Sequence, residues 1–142
     1  MSEENVERAR RAYIAMREAY AAGDIESLTD LADEFCHPDL VFSTEALTRY
    51  PRRGEWHGPE GLLKFGLGQM EAFEDMWLEP DDFIDAGDRV LVQLRIGGTA
   101  RHTGLPVEFS VIHAVTDRDG KAARIDVYEQ LDEAIKAAGL RE

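Results

Sequence analysis

Apolar positions along the chain follow two regimes, a helical spacing over the first half and a strand-like alternation over the second. Between about Glu4 and Ala22, the residues Ala9, Tyr13, Met16 and Tyr20 recur at helical spacing, which predicts a helix with one apolar stripe. Gly23 ends it, and Asp24 is placed to accept a hydrogen bond from the free amides of a second helix. That helix carries Ile25, Leu28, Leu31, Ala32 and Phe35 on one side. His37-Pro38 stops it, because the residue before a proline is pushed out of the α region. Asp39 to Thr44 reads as a short strand, and Tyr50-Pro51-Arg52-Arg53 as part of the loop that follows. Gly58-Pro59-Glu60 opens a third helix, with proline where its missing N–H costs nothing, and Leu62, Leu63, Gly66, Met70 and Phe73 are available for burial.

From Trp77 the pattern changes. Trp77 to Ile84 is interrupted by Pro80, which predicts an edge strand or a bulge. After a turn at Asp85-Ala86-Gly87-Asp88, Val90, Val92, Leu94 and Ile96 alternate with Arg89, Leu91, Gln93 and Arg95. Thr103-Gly104-Leu105-Pro106 turns the chain into a strand over Val107 to Thr116. Asp117-Arg118-Asp119-Gly120 is the sharpest hairpin signal. Lys121 to Gln130 is the last strand, and Asp132 to Ala138 a short helix ended by Gly139. Helices first and a strand meander afterwards predict a single α+β domain over 1–142 with a mostly antiparallel sheet.

Composition narrows the function classes. The 142 residues are 44% hydrophobic and 32% charged, which fits a globular chain with one core. The net charge of −13, much of it between Glu71 and Asp88, repels phosphate backbones and argues against nucleic acid as a partner. Arg8, Arg10, Arg11 and Arg17 read as a solvated helix face among acidic neighbours. No apolar run approaches a membrane span, and no signal peptide is expected from the acidic start. Cys36 is the only cysteine, so no internal disulfide is possible, and a cytoplasmic setting is expected. Cys36, His37, Glu55, His57, His102 and His113 include possible metal ligands, but no pair has the spacing of a recognised site; neither a metal nor another cofactor is expected.

Four local patterns, in this order and spacing, carry a family resemblance. They are Phe35-Cys36-His37-Pro38-Asp39-Leu40-Val41-Phe42, Trp56-His57-Gly58-Pro59-Glu60-Gly61-Leu62, Gly87-Asp88-Arg89-Val90-Leu91-Val92, and the stretch from Asp119-Gly120-Lys121 through Tyr128 to Ala138-Gly139-Leu140. Together they span nearly the whole chain, which resembles the SnoaL-like, nuclear-transport-factor-two-like family. The resemblance implies a strongly curved sheet wrapped around three N-terminal helices, a short C-terminal helix, and a conical cavity for a small apolar ligand. It also implies a homodimer formed through the outer sheet face. The family hosts isomerases, polyketide cyclases, epoxide hydrolases, dehydratases and plain binding domains, so fold alone leaves the chemistry open.

Carried over residue by residue, the resemblance gives a partial site. The cyclases' histidine falls at His113, but their aspartate, and that of the epoxide hydrolases, falls at Val127, which cannot move a proton. Asp126 is adjacent, but strand alternation turns it to the other face. The hydrolases' arginine and aspartate fall at Leu94 and Ile96. The isomerases' base falls near Ser43 or Thr44 and their second acid near Ile112; a shift of one residue brings Glu45 or His113 to those places. His113 is either a proton carrier or a hydrogen-bonded core histidine. Glu108 shares a strand face with Ser110 and is the other acid/base candidate if that face is concave. If it is convex, Glu108 belongs to an interface or to solvent. Tyr13, Trp56, Phe73 and Trp77 either line the cavity or fill it as core, with Val92, Leu94, Ile96 and Val127 as its apolar wall. Tyr128 or Ser110 would steady a developing oxyanion. Two readings stay open: a cofactor-independent isomerase, cyclase or dehydratase on an apolar substrate, or a non-catalytic binding or accessory domain.

Overall fold

A computed structural model describes residues 2–47 and 53–139. Along the chain run α1 (Ser2–Ala22), α2 (Ile25–Phe35), β1 (Cys36–Ser43), β2 (Glu55–His57), α3 (Gly58–Ala72), β3 (Phe73–Asp85), β4 (Arg89–Ala100), β5 (Pro106–Arg118), β6 (Lys121–Tyr128) and α4 (Leu131–Ala137). Both boundaries of the α1–α2 corner follow from the sequence: Gly23 takes a left-handed φ of 64°, and the Asp24 carboxylate accepts the Ser27 amide at 3.1 Å.

The six strands form one sheet in the order β2-β1-β6-β5-β4-β3. Every neighbouring pair is antiparallel except β1 with β6, which is parallel. Local pattern does not reveal that pairing, because it depends on where α3 and the β3–β5 meander carry the chain. The β5–β6 hairpin turns at Asp119 and Gly120, whose φ values of 56° and 77° fit the tight turn that matches strand twist. Pro80 lies on the edge strand β3, where the register with β4 shifts between Pro80 and Asp82. The acidic run therefore lies on an exposed sheet edge, where charge discourages pairing with another chain.

Several boundaries differ from the sequence reading, among them the start of β3 at Phe73, a residue expected in the third helix, rather than at Trp77. His37-Pro38 ends α2 but already lies within β1, where the register against β6 is interrupted between Cys36 and Val41 and spares proline a ladder bond. Glu55–His57 pairs with Val41–Ser43 as β2, a strand too short to show alternation. Of the predicted loop at Tyr50-Pro51-Arg52-Arg53, all but Arg53 lies outside the described residues, as does Leu140.

Alternation divides the sheet into two surfaces. Val90, Val92, Leu94 and Ile96 join Tyr13, Phe42 and Val127 in the main core, between the sheet and the first three helices. On the opposite face Leu91, Ile112 and Ala114 pack with Ala86 and Ala134 beneath α4. The two cores share one strand ladder, so β4 is buried on both sides over Val90 to Val92.

Candidate functional site

A cavity of about 130 Å³ lies between the inner face of the sheet and helices α1, α2 and α3. Its wall is mostly apolar, with Met16, Phe42, Phe65, Leu78 and Ile96 among the lining residues. Few polar groups interrupt it, and they sit on different elements.

At its centre, Tyr13 Oη lies 2.8 Å from His113 Nδ1. Helical periodicity turns Tyr13 inward from α1, and strand alternation turns His113 inward from β5 with Val115 and Asp117. The ring of Phe42 meets the imidazole edge-on at 5.7 Å, and the Tyr13 ring does so at 5.6 Å. Burial raises the Tyr13 phenol well above its ordinary range, with Cys36 and Asp117 adding to the effect. Burial also pushes His113 down to about 4. At neutral pH the pair is therefore a neutral phenol and a neutral imidazole. His113 Nε2 has no hydrogen-bond partner among the described residues.

Toward one end, Arg8 and Asp117 line the cavity with Nη1 and Oδ2 3.4 Å apart. Burial raises the Asp117 carboxyl and Arg8 partly offsets this. Cys36 also faces the cavity, but burial pushes its thiol up to about 12, which leaves it a weak nucleophile. Toward the other end lie the Tyr20 hydroxyl and the Gln69 side chain. Among the described residues, no three His, Cys, Asp or Glu side chains converge in a way that could hold a metal ion.

The predicted site residues divide by strand phase. His113, Tyr13 and Ile96 line the cavity, and Val92, Leu94 and Val127 lie in the core around it. Val127 is paired in register with His113, so an apolar side chain stands where a cyclase carboxylate is expected. Glu108 does not reach the cavity. Its carboxylate is exposed on the outer face, 3.9 Å from Arg95, since even-numbered residues of β5 point away from the helices. Ser110 is exposed on that same face, and Ile112 rather than His113 is the residue of that pair pointing outward. Tyr128 packs under α4 in the outer core, so it cannot steady an oxyanion in the cavity.

The aromatic predictions need similar correction. Trp77 stacks over Gly97 on the outer face with Arg95 6.0 Å from its ring. Trp56 packs on Phe42 and Phe65, one layer behind the cavity wall, and Phe73 packs against the main core without lining the cavity. Asp126 points outward and binds Arg124 at 3.0 Å. Arg8 is no solvated bystander, because it reaches β5 through Asp117, whereas Arg17 bonds Glu79 at 2.9 Å nearer the surface.

Gln69 and Asp117 were missed as site residues. Their signals were faint: a glutamine on an otherwise apolar helix face, and an aspartate that the hairpin motif had already explained. Helical spacing accounts for Tyr20 as part of the apolar stripe and gives its hydroxyl no role.

No helix among the described residues is long and apolar enough to cross a membrane. No curated protein sequence matches the chain. Among solved structures, TerC co-crystallized with polyporic acid is 27% identical, with a TM-score of 0.67 over 91% of this chain and 98% of that one. A candidate SnoaL-like polyketide cyclase from Jannaschia sp. CCS1 is 20% identical, with a TM-score of 0.72 over 99% and 94% of the two chains. An NTF2-like protein of unknown function from Burkholderia pseudomallei K96243 is 22% identical, with a TM-score of 0.68 over 94% and 95%. These likenesses agree on one fold, and the family model of the SnoaL-like domain matches residues 11–125; the chain belongs to that family.

Proposed function

We propose that the protein takes a compact, mostly apolar molecule into the cavity and moves a proton on it without a cofactor, in an isomerisation, cyclisation or dehydration. The observation that carries this reading is the Tyr13–His113 contact of 2.8 Å on the wall of a mostly apolar cavity. A base within reach of such a void is what proton-transfer chemistry needs. The volume of about 130 Å³ limits the ligand to single-ring size, since an apolar cavity of ~150 Å³ holds a benzene ring.

The dyad supports proton transfer through its tautomers. When His113 donates Nδ1–H to Tyr13 Oη, the Nε2 lone pair is free to take a proton from a carbon beside a carbonyl. The C–H electrons then move toward the carbonyl oxygen as an enolate. An imidazolium in this apolar site is a strong acid, because burial disfavours its charge. It therefore returns the proton to another atom of the same ligand, which is an isomerisation. In the other tautomer Tyr13 donates to Nδ1, and Nε2–H becomes a donor to a ligand oxygen.

Simple binding without chemistry is the second reading, and Val127 favours it. The side chain in register with His113 is buried and apolar, so no carboxylate stands beside the imidazole to hold its charge. TerC, a family relative co-crystallized with polyporic acid, supports occupancy by a small molecule under either reading.

Incubation with cyclohexanone in D₂O separates the two. Proton transfer predicts deuterium incorporation at the α carbons above the buffer rate, reduced about tenfold or more in His113→Asn. Ligand-induced shifts of cavity methyl resonances with exchange at the buffer rate would leave the binding reading. Neither shifts nor exchange would remove both.

A further inference from the structure

Tyr20 and Gln69 line the cavity from facing helices, and neither side chain has a hydrogen-bond partner among the described residues. Gln69 is only 7% exposed, and its amide oxygen and nitrogen are not among the fully buried polar atoms, so on the cavity wall they keep a small accessible surface with four hydrogen-bonding positions unused. An amide on an otherwise apolar wall loses contact with bulk water and gains no protein partner, a cost that a leucine of similar size would avoid. Tyr20 is held there by a second cost. Gly66 lies in the middle of α3, where glycine is a poor helix former, and a Cβ at this position would sit 2.7 Å from the Tyr20 hydroxyl. The glycine thus makes room for an oxygen and not for apolar packing. Gln69 follows Gly66 by three residues, so it projects from the same face of α3.

We propose that Tyr20 and Gln69 form a neutral recognition subsite at this end of the cavity for an oxygen of the ligand. The ligand class is then a single-ring ketone or phenol rather than a hydrocarbon or an anion. An anion is disfavoured because Arg8, the only lysine or arginine lining the cavity among the described residues, lies twelve residues away on α1, or ~18 Å at helical rise. Arg8 is also paired with Asp117. Tyr20 O–H and Gln69 N–H can both donate to a carbonyl, or Gln69 Oε1 can accept from a phenol. The inference rests on occupancy of the cavity by a small molecule and is independent of proton transfer at His113.

NMR titrations with p-cresol and toluene test it, using the full chain, Gln69→Leu and Tyr20→Phe. The two probes have similar shapes and differ by one hydroxyl. The expected result is a fall of about tenfold in the p-cresol-to-toluene affinity ratio in Gln69→Leu, with toluene binding retained or improved, and a smaller fall in Tyr20→Phe. A merely structural role would weaken both probes alike and leave the ratio unchanged, which overturns the proposal. Absence of cavity shifts with either probe at millimolar concentration overturns it as well. Exchange at the buffer rate, with the ratio still falling in Gln69→Leu, would sink proton transfer and leave this subsite standing.

Discussion

His113 and Glu108 lie five positions apart on one strand, yet the two side chains occupy opposite faces of the sheet. His113 lies within the cavity against Tyr13, in surroundings that favour its neutral form. Glu108 extends into solvent beside an exposed arginine, where an ion pair contributes little. Residue type marked both as candidates for acid–base work. Strand parity alone decided between them, because alternate side chains face opposite sides of a sheet and a slip of one residue exchanges them all. The inner face of β5 encloses His113 in the cavity; the outer face is open to solvent where Glu108 stands and closes under α4 only at Ile112 and Ala114.

The largest expected effect breaks the inner face itself. Phe42 is 2% exposed and touches the rings of Trp56, Phe65 and His113, so Phe42→Ala should destabilise the fold by about 3–5 kcal/mol in urea unfolding. A loss below 1 kcal/mol in that titration would mean that the cavity wall collapses freely.

A pH titration of stability comes next. The unfolded chain binds a proton at His113 near the ordinary value of ~6.5, whereas the folded chain does so only at about 4. Above that window the residue contributes no pH dependence. As pH falls through it, the unfolded state gains protons that the folded state refuses, so stability drops by about 3 kcal/mol in all. Asp117 acts with the opposite sign, since its raised carboxyl favours the folded state when protonated. Subtracting the profile of His113→Asn from that of the parent chain therefore isolates the histidine. An unchanged slope in the variant would show that His113 is already charged or solvated.

A smaller effect sharpens the picture of the opposite end of the cavity. Gly66→Ala should destabilise by about 1–2 kcal/mol, because the new methyl meets the Tyr20 hydroxyl at 2.7 Å. In Tyr20→Phe the nearest remaining ring carbon is at 3.9 Å, so the same change should become stabilising by up to about 1 kcal/mol, the helix preference of alanine over glycine. A double-mutant cycle reads this directly, and equal costs in both backgrounds would deny the contact.

The smallest effect belongs to the outer face. Glu108→Gln should leave the denaturation midpoint, p-cresol affinity and α-carbon exchange unchanged. A loss of exchange with normal affinity would place Glu108 near the reacting atoms after all and contradict the strand phase.

Much of this molecule was legible before folding. The Tyr13 and Tyr20 stripe, the Val90-to-Ile96 alternation, the Asp24 cap, the Asp119-Gly120 turn and the edge role of Pro80 are local effects. Each depends on backbone preference or on periodicity within one element. The resemblance on Trp56-His57-Gly58-Pro59-Glu60 and its companion motifs supplied the fold class. Less legible were the three-residue strand Glu55–His57 and the parallel pairing of β1 with β6, which depend on contacts far apart in sequence.

By itself, then, the sequence determined where helices and strands lie, which residues are apolar enough to be buried, and which few side chains could carry a proton. The tertiary structure decided which of those side chains share a space. It turned His113 toward Tyr13, sent Glu108, Ser110, Trp77 and Tyr128 to the other side of the sheet, and brought Tyr20 and Gln69 together from separate helices. The physical reason is that parity along a strand is fixed locally but its sign is not. Only packing the apolar face of the sheet against the helices selects which set points inward, and with it the chemistry available to the cavity.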